Sequence, residues 1–315
     1  MLSYRHAFHA GNHADVLKHL VLIECLTHMN EKEKPYIALD THAGAGQYAL
    51  DAEQAKRTSE FADGIGRLWL RADLPEPLAT YRKLIRELNP GEKLRRYPGS
   101  PWIASHLIRN KDRLKLAELH STDYALLRRT FRDSPCVSFE QADGFELLKA
   151  ALPPVSRRGL VLIDPSYEVK SDYMKVTVAI KDALKRFATG TYLVWHPLLP
   201  SIDANQLPEK LKKAGAGEWL HATLSVRAPA TKGYGMHGSG IFVINPPWTL
   251  AATLKETLPY LVKHLALDER ATWTLDQSSG VNPAPAKEVR RPVIADFSGR
   301  RHHPTQDKSS TRSRK

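Results

Sequence analysis

Six short apolar runs constrain this chain more than any other feature: Tyr36 to Leu39, Leu114 to Glu118, Val137 to Phe139, Leu160 to Ile163, Tyr192 to Trp195 and Ile241 to Ile244. Each is too short for a helix, and segments with apolar residues at helical spacing separate them. A strand that is apolar at successive positions must be covered on both faces. The repeated alternation therefore predicts an α/β fold around a mostly parallel sheet. Such sheets bind ligands in the crevice beyond the carboxyl ends of their strands, so the chemistry is expected where these runs end.

The helical segments fill in the rest. Asn12 followed by Asp15 and the apolar positions Val16, Leu17, Leu20, Ile23 and Leu26 predicts a capped helix with one buried face, preceded by a short histidine-rich arm. A last helix is expected over Leu250 to Leu265, after Asn245-Pro246-Pro247-Trp248 and before a short segment around Trp273. Between Gly46 and Leu114 the rhythm breaks: no strand is evident, and helix-like stretches cover Glu60 to Arg71 and Leu78 to Leu88, split by Leu74-Pro75-Glu76-Pro77. Residues 50–100 are accordingly expected to be an inserted helical subdomain in a domain made of 1–49 and 101–280, with a basic tail over 281–315. Insertions at such a rim commonly shape the substrate side, although two packing helices without substrate contact fit the same pattern. No internal repeat is present.

At 315 residues, 42% hydrophobic and 25% charged, the chain can bury a sizeable core. It has no apolar run of roughly 18 residues, and Glu24 interrupts the apolar stretch Leu20 to Leu26, so neither a signal peptide nor a membrane span is expected. Cys25 and Cys136 are too few for a disulfide framework, which fits a cytoplasmic, reducing compartment. The formal net charge of +12 points to a polyanionic partner. Half of it lies between Lys287 and Lys315, where nine Lys or Arg face three acidic residues. Such a tail reads as a solvated extension compatible with non-specific RNA attraction.

The strand ends carry the candidate chemistry. Asp40 closes the first run and gives way to Thr41-His42-Ala43-Gly44-Ala45-Gly46, a turn whose glycines let a ligand approach the backbone. The dinucleotide signature G-x-G-x-x-G is not met. Glu118 ends the next strand, where a carboxylate can accept from two ribose hydroxyls, and Asp143-Gly144 follows the third. Singly, each residue would serve equally well as a cap or turn; the ordered set points to a nucleoside cofactor. Leu160-Val161-Leu162-Ile163-Asp164-Pro165-Ser166-Tyr167 then delivers a carboxylate, a rigid proline and an aromatic onto the same rim. An adenine N6 amine is a poor nucleophile because its lone pair is delocalised into the ring. Hydrogen bonds from it to the Asp164 carboxylate and the Pro165 carbonyl would favour a pyramidal nitrogen, and Tyr167 is expected to stack on the base.

Asp164-Pro165-Ser166-Tyr167 looks like the D-P-P-Y signature of amino-methyltransferases. The block from Tyr4 to His19, with Asp40 to Gly46, resembles the ribosomal RNA large subunit methyltransferase J family. Tyr97-Pro98-Gly99-Ser100-Pro101, Ala142-Asp143-Gly144-Phe145, Pro153 to Gly159 and Ile244 to Trp248 extend the likeness up to about Trp273. The resemblance implies a class I S-adenosylmethionine-dependent methyltransferase (Rossmann-like) fold with a helical insertion, acting as a monomer on adenine N6 in 23S ribosomal RNA. By motif it implies that His19, His42, Ser100, Glu118, Asp143 and Gly144 hold S-adenosylmethionine, that Asp164 sits at the transferred methyl, and that Tyr4, His6 and Lys18 face the target nucleotide or support the site. Ser166 departs from the signature's second proline, which would leave the loop less rigid.

Three other readings remain open on sequence. His6, His9, His13 and His19 with Asp15 could suggest a metallohydrolase, but no H-E-x-x-H is present and His9 precedes the helix cap. A catalytically silent RNA-binding module of the same fold would not need the full carboxylate set. Methylation of adenine in DNA would use the same motif chemistry.

Overall fold

The computed structural model describes residues 5–215, 217–230 and 235–278. Tyr4 and the basic tail expected over 281–315 lie outside the described residues. The chain enters through a single 3-10 turn at His6–Phe8 and then forms α1 (His13–Asn30). Asn12 caps α1 as its sequence implied, its side-chain oxygen accepting from the backbone of Ala14 at 2.9 Å and of Asp15 at 3.1 Å. The burial of α1 differs from expectation. Val21, Leu22 and Cys25 are buried along with the predicted face, so the helix is enclosed nearly all round. The wider cover comes from later elements that no local pattern announces.

Strand β1 (Ile37–Asp40) runs into the glycine turn. Next come β2 (Gln47–Ala49) and the helices α2 (Glu53–Thr58), α3 (Glu60–Asp63), α4 (Ile65–Trp69) and α5 (Glu76–Glu87). Gly64, the non-helical residue between α3 and α4, sits so close to the amino-terminal arm that a Cβ there would overlap the Gly11 carbonyl oxygen and the Asn12 backbone. Ile65 N donates to that same carbonyl at 2.9 Å, which docks this region on the amino-terminal arm. The interval is not purely helical. β3 (Arg96–Pro98) pairs antiparallel with β2, a two-stranded ribbon too short to show in an apolar pattern.

From α6 (Ser100–Leu107) the chain alternates through β4 (Arg113–Ala117), α7 (Ser121–Phe131), β5 (Val137–Glu140), α8 (Gly144–Ala151), β6 (Gly159–Ile163), α9 (Ser171–Arg186) and β7 (Thr191–Leu198). It ends with α10 (Ile202–Lys212), β8 (Trp219–Ser225), β9 (Gly238–Ile244), α11 (Leu250–Leu265) and β10 (Thr272–Gln277). All six apolar runs are strands of one sheet of order β10-β8-β9-β7-β6-β1-β4-β5. From β5 through β7 every pairing is parallel, while β9, β8 and β10 add antiparallel. Every residue of β6 is buried, as a continuous apolar strand between two helical layers requires.

The two layers form separate apolar clusters. One gathers α1, α5, α6 and α11, and the other gathers α9 and α10. The order reverses at β1, whose neighbours are β4 on one side and β6 on the other, and a crevice opens beyond their carboxyl ends. Among the described residues, no helix is long and apolar enough to cross a membrane.

Candidate active site

The crevice is a cleft of about 1150 Å³ including its open mouth. Three strand ends reach it with a carboxylate at or near each: Glu118 from β4, Asp143 from β5 and Asp164 from β6. Asp40, which ends β1, lies behind the lining residue Ser100, at 3% exposure. The Ser100 hydroxyl donates to its Oδ2 at 2.7 Å, and the His42 backbone to its Oδ1 at 3.2 Å. Burial pushes its pKa up to about 6 against the pull of the Ser100 bond.

Glu118 receives the backbone N–H of Gly44 on one oxygen and that of His120 on the other, both at 2.7 Å. These bonds fix the carboxylate plane at the rim while burial raises its pKa. Asp143 caps α8 by accepting from Phe145 N at 2.8 Å and also faces the cleft, so the structural and binding readings coexist in one residue. Gly144 beside it packs so tightly on Thr41 that a Cβ would overlap that backbone. His42 lies edge-on to Phe145, with ring centroids 5.3 Å apart. Burial lowers the His42 pKa to about 4 and the His19 pKa to about 3, so both rings are neutral at pH 7.

Asp164 emerges from β6 opposite α1. Its Oδ2 lies 2.6 Å from Lys18 Nζ, which also lies 2.9 Å from Asp15 Oδ1. Asp15 itself is 1% exposed, and its Oδ2 is met by His6 Nε2 at 2.9 Å and by Gly11 N at 2.8 Å. Burial works against charge throughout this cluster. Asp15 and Asp164 nevertheless hold the Lys18 pKa above the ordinary lysine value, and His6 and Lys18 beside Asp15 hold its pKa well below the usual carboxylate range. For Asp164 burial wins, and its pKa is raised despite Lys18. Lys18 Nζ also sits 5.9 Å from the centre of the Trp195 ring.

The cleft thus brings together His6, Lys18, His19, His42 and Ser100 with the strand-end residues Glu118, Asp143, Gly144, Asp164 and Pro165. Tyr167 is the exception, and its expected stacking on a base is corrected here. The residue adopts φ 54°, which turns its ring beneath the loop into the α9 layer. There it is 7% exposed, donates to the Trp195 carbonyl at 2.7 Å and lies 4.6 Å from the Tyr173 ring. Ser166, in contrast, lines the cleft.

Sequence reasoning also missed participants. In the sequence Asp15 stands only as part of a helix start and beside the histidine cluster. Tyr97, buried next to His19, stands only in the stretch Tyr97 to Pro101 that extends the family likeness, with no role of its own. Asp172 and Lys175, at the start of α9, line the cleft as well. A polar residue among the apolar positions of α1 is the local signal for Asp15; Lys18 is already implied by the resemblance.

The histidines of the amino-terminal block spread apart. His9 bonds Glu60 at 2.9 Å, while His6 and His19 flank Asp15, which already has a lysine partner. No group of three or more potential metal ligands converges among the described residues.

The residues fit an S-adenosylmethionine molecule. The cleft's carboxylates, with two buried histidines neutral, suit a sulfonium cation, and Glu118 retains acceptor capacity for ribose hydroxyls. His19 Nε2 is buried in the cleft wall without a hydrogen-bond partner, as a group awaiting a ligand would be.

Comparison with known proteins gives concordant results. The family described as ribosomal RNA large subunit methyltransferase D, RlmJ, matches residues 33–277. A Haemophilus influenzae protein named ribosomal RNA large subunit methyltransferase J is 50% identical over 277 residues, covering 88% of this chain and 98% of the relative. Its namesake in Escherichia coli is 49% identical over 261 residues, covering 83% and 93%. The crystal structure of a Legionella pneumophila protein, 35% identical, superposes with a TM-score of 0.80 over 86% of this chain and 99% of that one.

Proposed function

Because the chain belongs to the ribosomal RNA large subunit methyltransferase J family, and so is a class I enzyme that methylates ribosomal RNA with S-adenosylmethionine, we propose that the methyl goes to the N6 amine of an adenine in 23S ribosomal RNA, with Asp164 as the catalytic group. The observation that carries this reading is the Asp164 carboxylate at the end of β6, tethered at 2.6 Å by Lys18 and followed by Pro165 in the same cleft. S-adenosylmethionine, when bound, supplies a methyl group already activated on a sulfonium. The protein's task is therefore to prepare the acceptor nitrogen.

Lys18 engages Asp164 Oδ2, and no hydrogen bond to Oδ1 is present among the described residues. Oδ1 accepts one N–H of the adenine amine, and the Pro165 carbonyl accepts the other. These bonds favour a pyramidal nitrogen and stabilise the positive charge that grows on it. Lys18 opposes the burial that raises the Asp164 pKa, so it favours the ionised acceptor. Asp164 is also placed to take the proton that the nitrogen sheds.

The base must be unstacked to reach this corner, which is easiest in single-stranded or looped RNA. In this reading His19, His42, Ser100, Glu118, Asp143 and Gly144 hold the donor. His6, Lys18 and Tyr4 serve the nucleotide side. The helices within 50–100 form the substrate-side subdomain of a monomeric enzyme, and the tail adds non-specific RNA attraction.

The test is mass-spectrometric mapping of methylated adenines in 23S ribosomal RNA treated with the wild-type chain or with Asp164→Ala. The variant should lose methyl transfer while its RNA affinity stays within about twofold, a uniform electrostatic term being untouched. Turnover by Asp164→Ala equal to wild type, or methylation at a site other than adenine N6, would refute the assignment.

A further inference from the structure

His19 ends a buried chain of hydroxyls. Tyr81, on α5, and Tyr97, on β3, are each 1% exposed or less, and their hydroxyl oxygens lie 2.6 Å apart. The Tyr97 hydroxyl is in turn 2.9 Å from His19 Nδ1, and the two rings stack with centroids 5.5 Å apart. At the far side of the imidazole, Nε2 has no hydrogen-bond partner and lies 3.9 Å from Asp15 Oδ1.

Counting hydrogens gives this chain a direction. If Nδ1 carried the proton, it would donate to Tyr97, Tyr97 would donate to Tyr81, and the Tyr81 hydrogen would have no acceptor among the described residues. If Nε2 carries it, Tyr81 donates to Tyr97, Tyr97 donates to Nδ1, and both phenol hydrogens are used. The Nε2–H then points toward the negative side of its surroundings, where Asp15 sits. Each arrangement leaves one buried donor without an acceptor, the Tyr81 hydroxyl in the first and the His19 Nε2–H in the second. The first also leaves the Nε2 lone pair unmet, whereas the second turns its free donor toward the Asp15 carboxylate at 3.9 Å and the cleft, so the second arrangement prevails.

We propose that Tyr97, supported by Tyr81, is a positioning residue that fixes His19 as the Nε2–H tautomer, so that the ring donates into the cleft to an anionic acceptor, the carboxylate at the amino-acid end of the methyl donor. The proposal rests on the reading of the cleft as the S-adenosylmethionine site. It gives the segment between 50 and 100 an indirect role there, because both phenols come from that segment and touch the site only through His19. An acceptor-only group such as a carboxylate matches a fixed donor, whereas an ammonium would match the opposite tautomer.

The experiment combines histidine nitrogen NMR of the full chain with calorimetric titration of two probes. S-adenosylhomocysteine carries the amino-acid end, and 5′-methylthioadenosine lacks it. The wild-type His19 resonance should show a neutral ring protonated at Nε2. Tyr97→Phe should lose that signature and weaken S-adenosylhomocysteine about tenfold, the scale of one hydrogen bond to a charged group, while leaving 5′-methylthioadenosine within about twofold. Tyr81→Phe, an equal change in buried volume, should keep the signature and weaken S-adenosylhomocysteine by about threefold or less. A wild-type ring protonated at Nδ1, or equal weakening of both probes by Tyr97→Phe, would overturn the proposal alone. A wild-type chain that binds neither probe would overturn both the proposal and the assignment of the cleft.

Discussion

Replacing Lys18 by Met isolates the physics of the site, because the side chain keeps much of its length and loses its charge. In the native arrangement one ammonium, 5% exposed, is shared by Asp15 Oδ1 at 2.9 Å and Asp164 Oδ2 at 2.6 Å. At an effective dielectric of about 20, each contact corresponds to roughly 6 kcal/mol of gross Coulomb attraction, most of it offset by the desolvation of the three groups. The variant leaves two carboxylates in the same buried cluster without that cation. Breaking a buried pair by removing one partner costs about 3–5 kcal/mol, and that is the loss of unfolding free energy expected at pH 8.

The loss should shrink on acidification, and the sign can be followed group by group. Asp15 has a folded pKa below its unfolded value, so its stabilisation is present above the unfolded value and is lost as pH falls through the folded one. Without Lys18 that depression is weaker, and the raised pKa of Asp164 rises further. Protonation at lower pH then relieves the variant before it affects the wild type. Urea unfolding at pH 8 and pH 6 measures the difference. Asp15→Asn added to Lys18→Met should recover about 1–3 kcal/mol of coupling energy, since one uncompensated charge disappears. A destabilisation identical at both pH values, with no recovery in the double variant, would show that Lys18 acts by packing and that the electrostatic argument is wrong.

Other perturbations have equally definite outcomes. Gly64→Ala places a methyl against the Gly11 carbonyl and should lower stability by about 2 kcal/mol or more by thermal unfolding; a change within about 0.5 kcal/mol would show that α3 and α4 separate easily from the arm. His196 and His221, with Nε2 atoms 3.0 Å apart, have pKa values lowered chiefly by burial to about 3 and 4. Their unfolded forms take up protons first, so stability falls as pH drops below about 6.5, by roughly 1.3 kcal/mol each between pH 7.5 and 5.5. The double variant His196→Gln/His221→Gln should therefore lose about 3 kcal/mol less than wild type over that interval in chemical unfolding, and an unchanged slope would refute the assignment. Glu118→Gln should weaken S-adenosylhomocysteine about tenfold by calorimetry, because a charge-assisted acceptor is replaced by a neutral amide; unchanged affinity would remove Glu118 from the donor site.

The parts of this molecule that could be read from sequence are those where one physical pressure acts alone. Strands covered on both faces, such as β1 and β6, must be apolar almost throughout, so their runs declared themselves. The acidic residues at or after the β4, β5 and β6 runs marked the crevice, although β5 itself is a half-exposed edge strand. β8 alternates buried Leu220, Ala222 and Leu224 with less buried partners, a period-two signal without a continuous apolar run. β10 is an edge strand with little burial to record, and β2 and β3 are three residues each. Long-range cover was invisible for the same reason. The all-round burial of α1 depends on helices far away in the chain, as does the pairing of Lys18 with Asp164 across 146 positions. Tyr167 failed as a stacking candidate because its side-chain direction is set by a left-handed backbone at that residue, which residue type alone does not disclose.

Lys18 and His19 are adjacent on α1, yet one reaches Asp164, the carboxylate proposed to meet the nucleobase, and the other the phenols of β3 and α5. A slight roll of that helix about its own axis would carry the two side chains together, altering how donor and acceptor are gripped in a single movement. Mutations deep among the apolar neighbours of α1, far from either ligand, would then surface as correlated shifts in the Michaelis constants of both substrates, a kinetic signature of mechanical linkage within one rod.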